Sequence, residues 1–176
     1  SVLPEQADSE ISEQEMIRRN NEELVAAWGN LVQRVFAQIN NNFDKLGDIS
    51  DSEEIDTKLI FGFEEAYKNI GNLIEKVELK SALQESMRCV SQVNAYLNET
   101  EPWKIIKDDT KRAGRVLYTS LQAIDSCANL LYPFMPATSE NVRNAIPKTT
   151  ECKWGVNEIK RGVELGQLEL LFKKFD

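Results

Sequence analysis

Three sets of side chains in this sequence have the types and spacing to recognise a ligand. The first is Asn30 and Arg34 in "WGNLVQRV". Four residues apart, they share one face of a helix, outside the arc of Leu24, Trp28, Leu31 and Val35. Together they present amide and guanidinium donors of the kind that read a nucleobase edge. An ordinary polar helix surface has the same composition. The second is Trp103 in "NETEPWKIIKDD". Proline suits the first position of a helix, where its missing N–H costs nothing, so Pro102 puts the indole in a first turn at a helix mouth. A ring there either plugs the core at a corner or stands in solvent as a stacking platform. The third is a run of cations, Lys104, Lys107, Lys111 and Arg115, with Arg112 beside it. Steps of three and four align them if one helix continues through them, and they could then meet phosphates. A solvated face paired with Asp108 and Asp109 is the alternative.

Other chemistry is poorly supplied. The chain has no histidine, which removes the commonest general base and metal ligand. It has no Gly-rich phosphate loop, no G-x-S-x-G and no H-E-x-x-H. The paired acids Glu22–Glu23, Glu53–Glu54 and Glu64–Glu65 read as solvated helix faces, because carboxylate metal bundles draw on Glu-x-x-His. Cys89, Cys127 and Cys152 are far apart and read as free thiols of a reducing compartment. The formal charge of −8 repels nucleic acid over the chain as a whole. Any RNA contact must therefore rest on local features. No apolar run approaches the ~20 residues of a membrane span, and no signal-peptide pattern opens the chain. The expectation is a cytoplasmic protein with no membrane partner.

The elements that must position these groups are helical. At 176 residues, 41% hydrophobic and 28% charged, the chain can bury one sizeable core. Apolar residues step by three and four over about 10–43 (Leu24, Trp28, Leu31, Val35, Ile39). They do so again over 52–76 (Leu59, Phe63, Ala66, Ile70, Leu73, reaching Val77) and 79–98 (Leu83, Met87, Val90, Asn94, Leu97). A fourth stripe runs over 109–131 (Leu117, Leu121, Ile124, Ala128, Leu131) until Pro133 and Pro136 stop it, and a short helix over 137–145 follows. Ser50 with Glu53, or Asp51 with Glu54, can form a capping box for the second helix. No run alternates with period two. Four long helices with short connections predict an all-α antiparallel bundle over 10–146, with a connector at 1–9 and an irregular tail at 147–176. Trp28 reads as core and Trp154 as tail packing.

Three stretches, "RRNNEELVAAWGNLVQRV", "NAYLNETEPWKIIKDD" and "LLYPFMPATSENV", resemble signatures of methionyl-tRNA synthetases, in the family's order. The opening "LPEQADSE" resembles the family's passage out of its stem-contact region, and "LFKKFD" its return along the catalytic domain. The middle, about 47–83, is generic. The resemblance implies a helix bundle of the class I synthetase anticodon-binding type. It implies that Asn30 and Arg34 contact the first anticodon base, the cytosine of CAU, while Trp103 stacks on it. Lys104, Lys107, Lys111 and Arg115 would hold the adjacent backbone. The implied partners are methionine tRNA and a parent catalytic domain. The family's His-Ile-Gly-His-like and Lys-Met-Ser-Lys-Ser-like signatures and its zinc-bearing cysteines have no match here. This piece would thus need no cofactor and be inactive alone. ATP, Mg2+ and Zn2+ would serve a full-length methionine–tRNA ligase. The anticodon-binding domain of a sibling class I synthetase, and a helical protein-interaction scaffold without RNA contact, are the competing readings.

Overall fold

A computed structural model of the chain describes residues 4–169. Among them are six helices: α1 (Pro4–Asn42), α2 (Glu54–Glu75), α3 (Leu79–Thr100), α4 (Pro102–Ile105), α5 (Thr110–Leu131) and α6 (Pro136–Ala145). The expected all-α bundle is what forms. Its axis is α5, which packs against α1, α2, α3, α4 and α6. From Val116 to Leu131 every residue of α5 except Gln122 is buried. A helix enclosed on all sides needs small residues where its neighbours come close, and "YTSLQAIDSCANLL" supplies Ser, Ala and Thr there. The Ser120 hydroxyl is satisfied by bonding back along the helix, donating to the Val116 carbonyl at 2.8 Å.

The predicted apolar stripes are the packed faces. Leu24, Trp28, Leu31, Val35 and Ile39 of α1 are all buried, with Val32 and Phe36 beside them. α2 and α3 are joined by only three residues, so they fold back on each other as a helical hairpin. Val77 turns that corner with φ 60 and is 74% exposed, so the stripe expected to reach it ends at Ile74 instead.

Two boundaries move for identifiable reasons. Residues 4–9, expected as connector, continue α1 as helix, and Ser1–Leu3 lie outside the described residues. The cap of α2 is Glu53, not Ser50 or Asp51. Its backbone N–H donates to Asp56 Oδ2 at 2.9 Å, because Asp56 is the acid that also finds buried partners across the bundle.

From Pro147 to residue 169 the chain is irregular and lies against the helices. An isolated antiparallel bridge joins Lys148 and Ile159. The Trp154 indole N–H donates to the Tyr67 carbonyl at 3.1 Å, its ring edge-on to Tyr67. Gly71 leaves room for it: a Cβ there would stand 3.2 Å from Trp154 Nε1. Beneath, Lys148 pairs with the buried Asp125 at 2.8 Å, and Asn157 Nδ2 donates to the same carboxylate at 3.2 Å. Burial raises the Asp125 carboxyl above its ordinary pKa even though Lys148 and Asn157 pull the other way. The closing "LFKKFD" lies outside the described residues.

Candidate nucleic-acid interface

The corner between α3 and α5 is built around one strained residue. Glu101 caps α3 in the left-handed region, φ 45 and ψ 59, its N–H donating to the Leu97 carbonyl at 2.9 Å. A non-glycine residue pays about 1–2 kcal/mol to sit there, and a residue before proline normally extends. The conformation ends α3 abruptly and delivers the buried Pro102 to the first position of α4. α4 is one turn long. Asp109, accepting from the Arg112 backbone N–H at 3.1 Å, then caps α5.

Trp103 is 38% exposed, neither a core plug nor a fully wet ring. The Arg34 guanidinium of α1 lies over it, with Cζ 5.5 Å from the ring centroid. Residues 69 positions apart in sequence thus meet in a cation–π contact. At an exposed site such a contact is worth about 0.5–1 kcal/mol, little enough for a ligand to displace. Asn30 is exposed one turn earlier on α1, roughly 6 Å along the axis. Arg34, outside the α1 apolar arc, is thus the residue of that face that reaches Trp103.

The cation stripe does not form as one line, because no helix runs through residues 106–109. Lys104 pairs with Glu101 at 3.0 Å and Lys111 with Asp48 at 3.7 Å. Arg115 donates to the Ser50 carbonyl and covers the Tyr118 ring. Lys107 is exposed and makes no ion pair among the described residues. Lys104 and Lys111 have exposed ammonium groups held only by weak surface pairs, which trade readily for a phosphate.

Arg112 does something the sequence reading missed. Its Nη1 donates to Asp56 Oδ2 at 2.6 Å and its Nη2 to Asp56 Oδ1 at 3.1 Å. The Tyr96 hydroxyl donates to the same carboxylate, and Glu53 adds both its backbone N–H and an ion pair to Arg112 at 3.3 Å. One buried acid thus ties the starts of α2 and α5 to the last turns of α3, beneath the α4 corner. Burial raises the Asp56 pKa, but the donors from Arg112, Tyr96 and Glu53 outweigh it and hold the carboxyl below its ordinary value. The same carboxylate, with burial, raises the Tyr96 phenol. Acid three residues after an acid cap, "EEID", was the signal available for it.

A family model described as the anticodon binding domain of methionyl tRNA ligase matches residues 47–176. The chain belongs to this family. Trp103 lies inside the matched segment; Asn30 and Arg34 precede it. The chain is 43% identical to a methionine–tRNA ligase of Bifidobacterium adolescentis over 148 residues, covering 83% of this chain and 24% of that protein. It is 38% identical to one of Chloroflexus aurantiacus over 139 residues, covering 79% and 23%. The chain spans about a quarter of the length of these curated relatives. Its fold matches the free-state methionyl-tRNA synthetase of Mycobacterium tuberculosis with a TM-score of 0.78 at 20% identity, over 90% of this chain and 34% of that one. The same enzyme in complex with methionyl-adenylate matches with a TM-score of 0.75 at 19% identity, over 86% and 31%. Within this anticodon-binding domain no described helix is long and apolar enough to cross a membrane.

Proposed function

We propose that the Trp103 corner reads the first base of a CAU anticodon on methionine tRNA. The observation that carries this is the Arg34 guanidinium seated on a partly exposed Trp103, with Asn30 one turn away. Single-stranded anticodon bases are splayed, stacked on aromatic rings and hydrogen-bonded at their edges. Trp103 supplies the ring; Asn30 and Arg34 supply donors suited to the carbonyl and ring-nitrogen acceptors of cytosine. Lys104, Lys107 and Lys111 then hold the neighbouring phosphates, while Arg115 stays on the Ser50 carbonyl, so that local charge overcomes the acidic total. The parent is a cytoplasmic methionine–tRNA ligase. Its adenylate chemistry, with ATP and Mg2+ and a zinc-bearing insertion, resides in a catalytic domain outside these 176 residues; this domain contributes tRNA selection and no reacting group.

The test is a titration of a 17-nucleotide-scale anticodon stem–loop against the chain at low salt. Stacking on an aromatic is worth about 1–3 kcal/mol per base, roughly 5- to 150-fold in affinity. Trp103→Ala should cost that much with helicity retained, and replacing the first anticodon base should cost a similar factor. Arg34→Ala should narrow the preference among first bases. Equal affinity of the wild type and Trp103→Ala for both loops would falsify the assignment.

A further inference from the structure

The outer side of the α2–α3 hairpin carries an open trough of about 830 Å³. Among the described residues no element occupies it. Its walls are Ile55 and Leu59 of α2 and Ala95 of α3, and Phe61 stands at its rim, 58% exposed. A phenylalanine that far into solvent, beside further apolar surface, is the usual mark of an interaction site.

Gly62 makes the case specific. It lies in the middle of α2, where glycine weakens a helix relative to alanine. Nothing in the domain requires it: a Cβ there would meet no atom within 4 Å. Gly71 of the same helix differs, since Trp154 sits against it. Gly62 and the small Ala95 both line the trough, and the absence of a side chain at Gly62 leaves space for another backbone to approach.

The charge of the trough selects the occupant. Glu53, Glu54 and Glu99 line it against a single cation, Lys58. Glu54 and Glu99 make no ion pair among the described residues. An acidic wall repels phosphate, so this is not a second RNA surface. Two helix ridges with a small-residue floor accept a third helix, whose apolar stripe fills the trough and whose flanks meet the acids. We infer that the α2–α3 trough docks an amphipathic helix of a partner protein, one whose apolar stripe is bordered by Lys or Arg. This rests on no part of the anticodon reading.

The probe is a fluorescein-labelled 18-residue-scale synthetic helix with Leu at helical spacing and Lys beside it, followed by anisotropy on the whole chain. Saturable binding that weakens with salt is expected. Gly62→Leu fills the trough from within and Phe61→Asp removes its rim; each should weaken the peptide at least tenfold. Both sites are solvent-facing, so circular dichroism and anticodon stem–loop affinity should stay as in the wild type. Glu64→Lys, outside the trough, should leave peptide affinity unchanged. Absence of saturable binding, or binding indifferent to Gly62→Leu and Phe61→Asp, overturns the proposal. Self-association of the chain that Gly62→Leu abolishes also overturns it, by assigning the trough to a second copy.

Discussion

Replacing Asp56 by Asn tests whether one carboxylate ties together the helix ends around the α4 corner. The substitution keeps size and shape. It places an amide NH2 where an oxygen now accepts from Arg112, Tyr96 or the Glu53 backbone, all of them donors. It also removes the charge facing Arg112, whose side chain is 12% exposed while that of Asp56 is 1% exposed. Breaking a buried pair by removing one partner costs about 3–5 kcal/mol. Arg112 keeps Glu53, whose side chain is 62% exposed, so about 2–4 kcal/mol is expected here. That is a large part of the ~5–15 kcal/mol available to a domain. Urea unfolding followed by circular dichroism measures it. The pH dependence is the sharper check. The folded Asp56 pKa lies below its unfolded value. Its stabilisation is therefore fully present above the unfolded carboxyl pKa of about 4, and is lost as pH falls through the lower folded value. The gap between wild type and variant should be widest near neutrality and close as Asp56 protonates. A gap under about 1 kcal/mol, or one of constant size down to the acid limit of folding, would refute the reasoning.

Two other perturbations probe the corner and the tail. Glu101→Gly removes the left-handed penalty while losing a weak surface pair to Lys104, so stability should stay within about 1 kcal/mol of wild type. Glu101→Val should instead cost about 2 kcal/mol, some 4–8 °C in Tm for a chain of this size, read by thermal melts. Gly71→Val drives a side chain into the Trp154 indole. Amides around Trp154 and Asn157 should then exchange faster with solvent while those of α5 keep their protection; unchanged exchange at Trp154 would show that the tail does not depend on this contact.

Much of the fold was legible because helical burial is periodic. Leu24 to Ile39 and Leu117 to Leu131 step by three and four along one side, and those sides are buried. Chain-entry signals were less reliable. Glu53, paired with Asp56, replaced Ser50 and Asp51 in the cap of α2 because the other oxygen of Asp56 bonds Tyr96, 40 residues away, a gain no local pattern contains. Arg112 read as part of a basic stripe for the same reason: its partner is 56 residues distant. The cation stripe failed as a line because Pro102 and the Asp109 cap begin two separate helices. Pro102 indicated the first start in the sequence, and the stripe expected from 109 indicated the second.

Residue types and spacing alone determined that this chain is helical, which faces are apolar, and that Asn30 and Arg34 share a surface. They also located Trp103 in the first turn of a helix. Only the tertiary structure decided that Arg34 lies on Trp103, that Asp56 ties α2, α3 and α5 together, and that no described element covers the α2–α3 trough. Periodicity is a property of neighbours a few residues apart, whereas these three facts depend on how separate helices pack, which the bundle settles all at once.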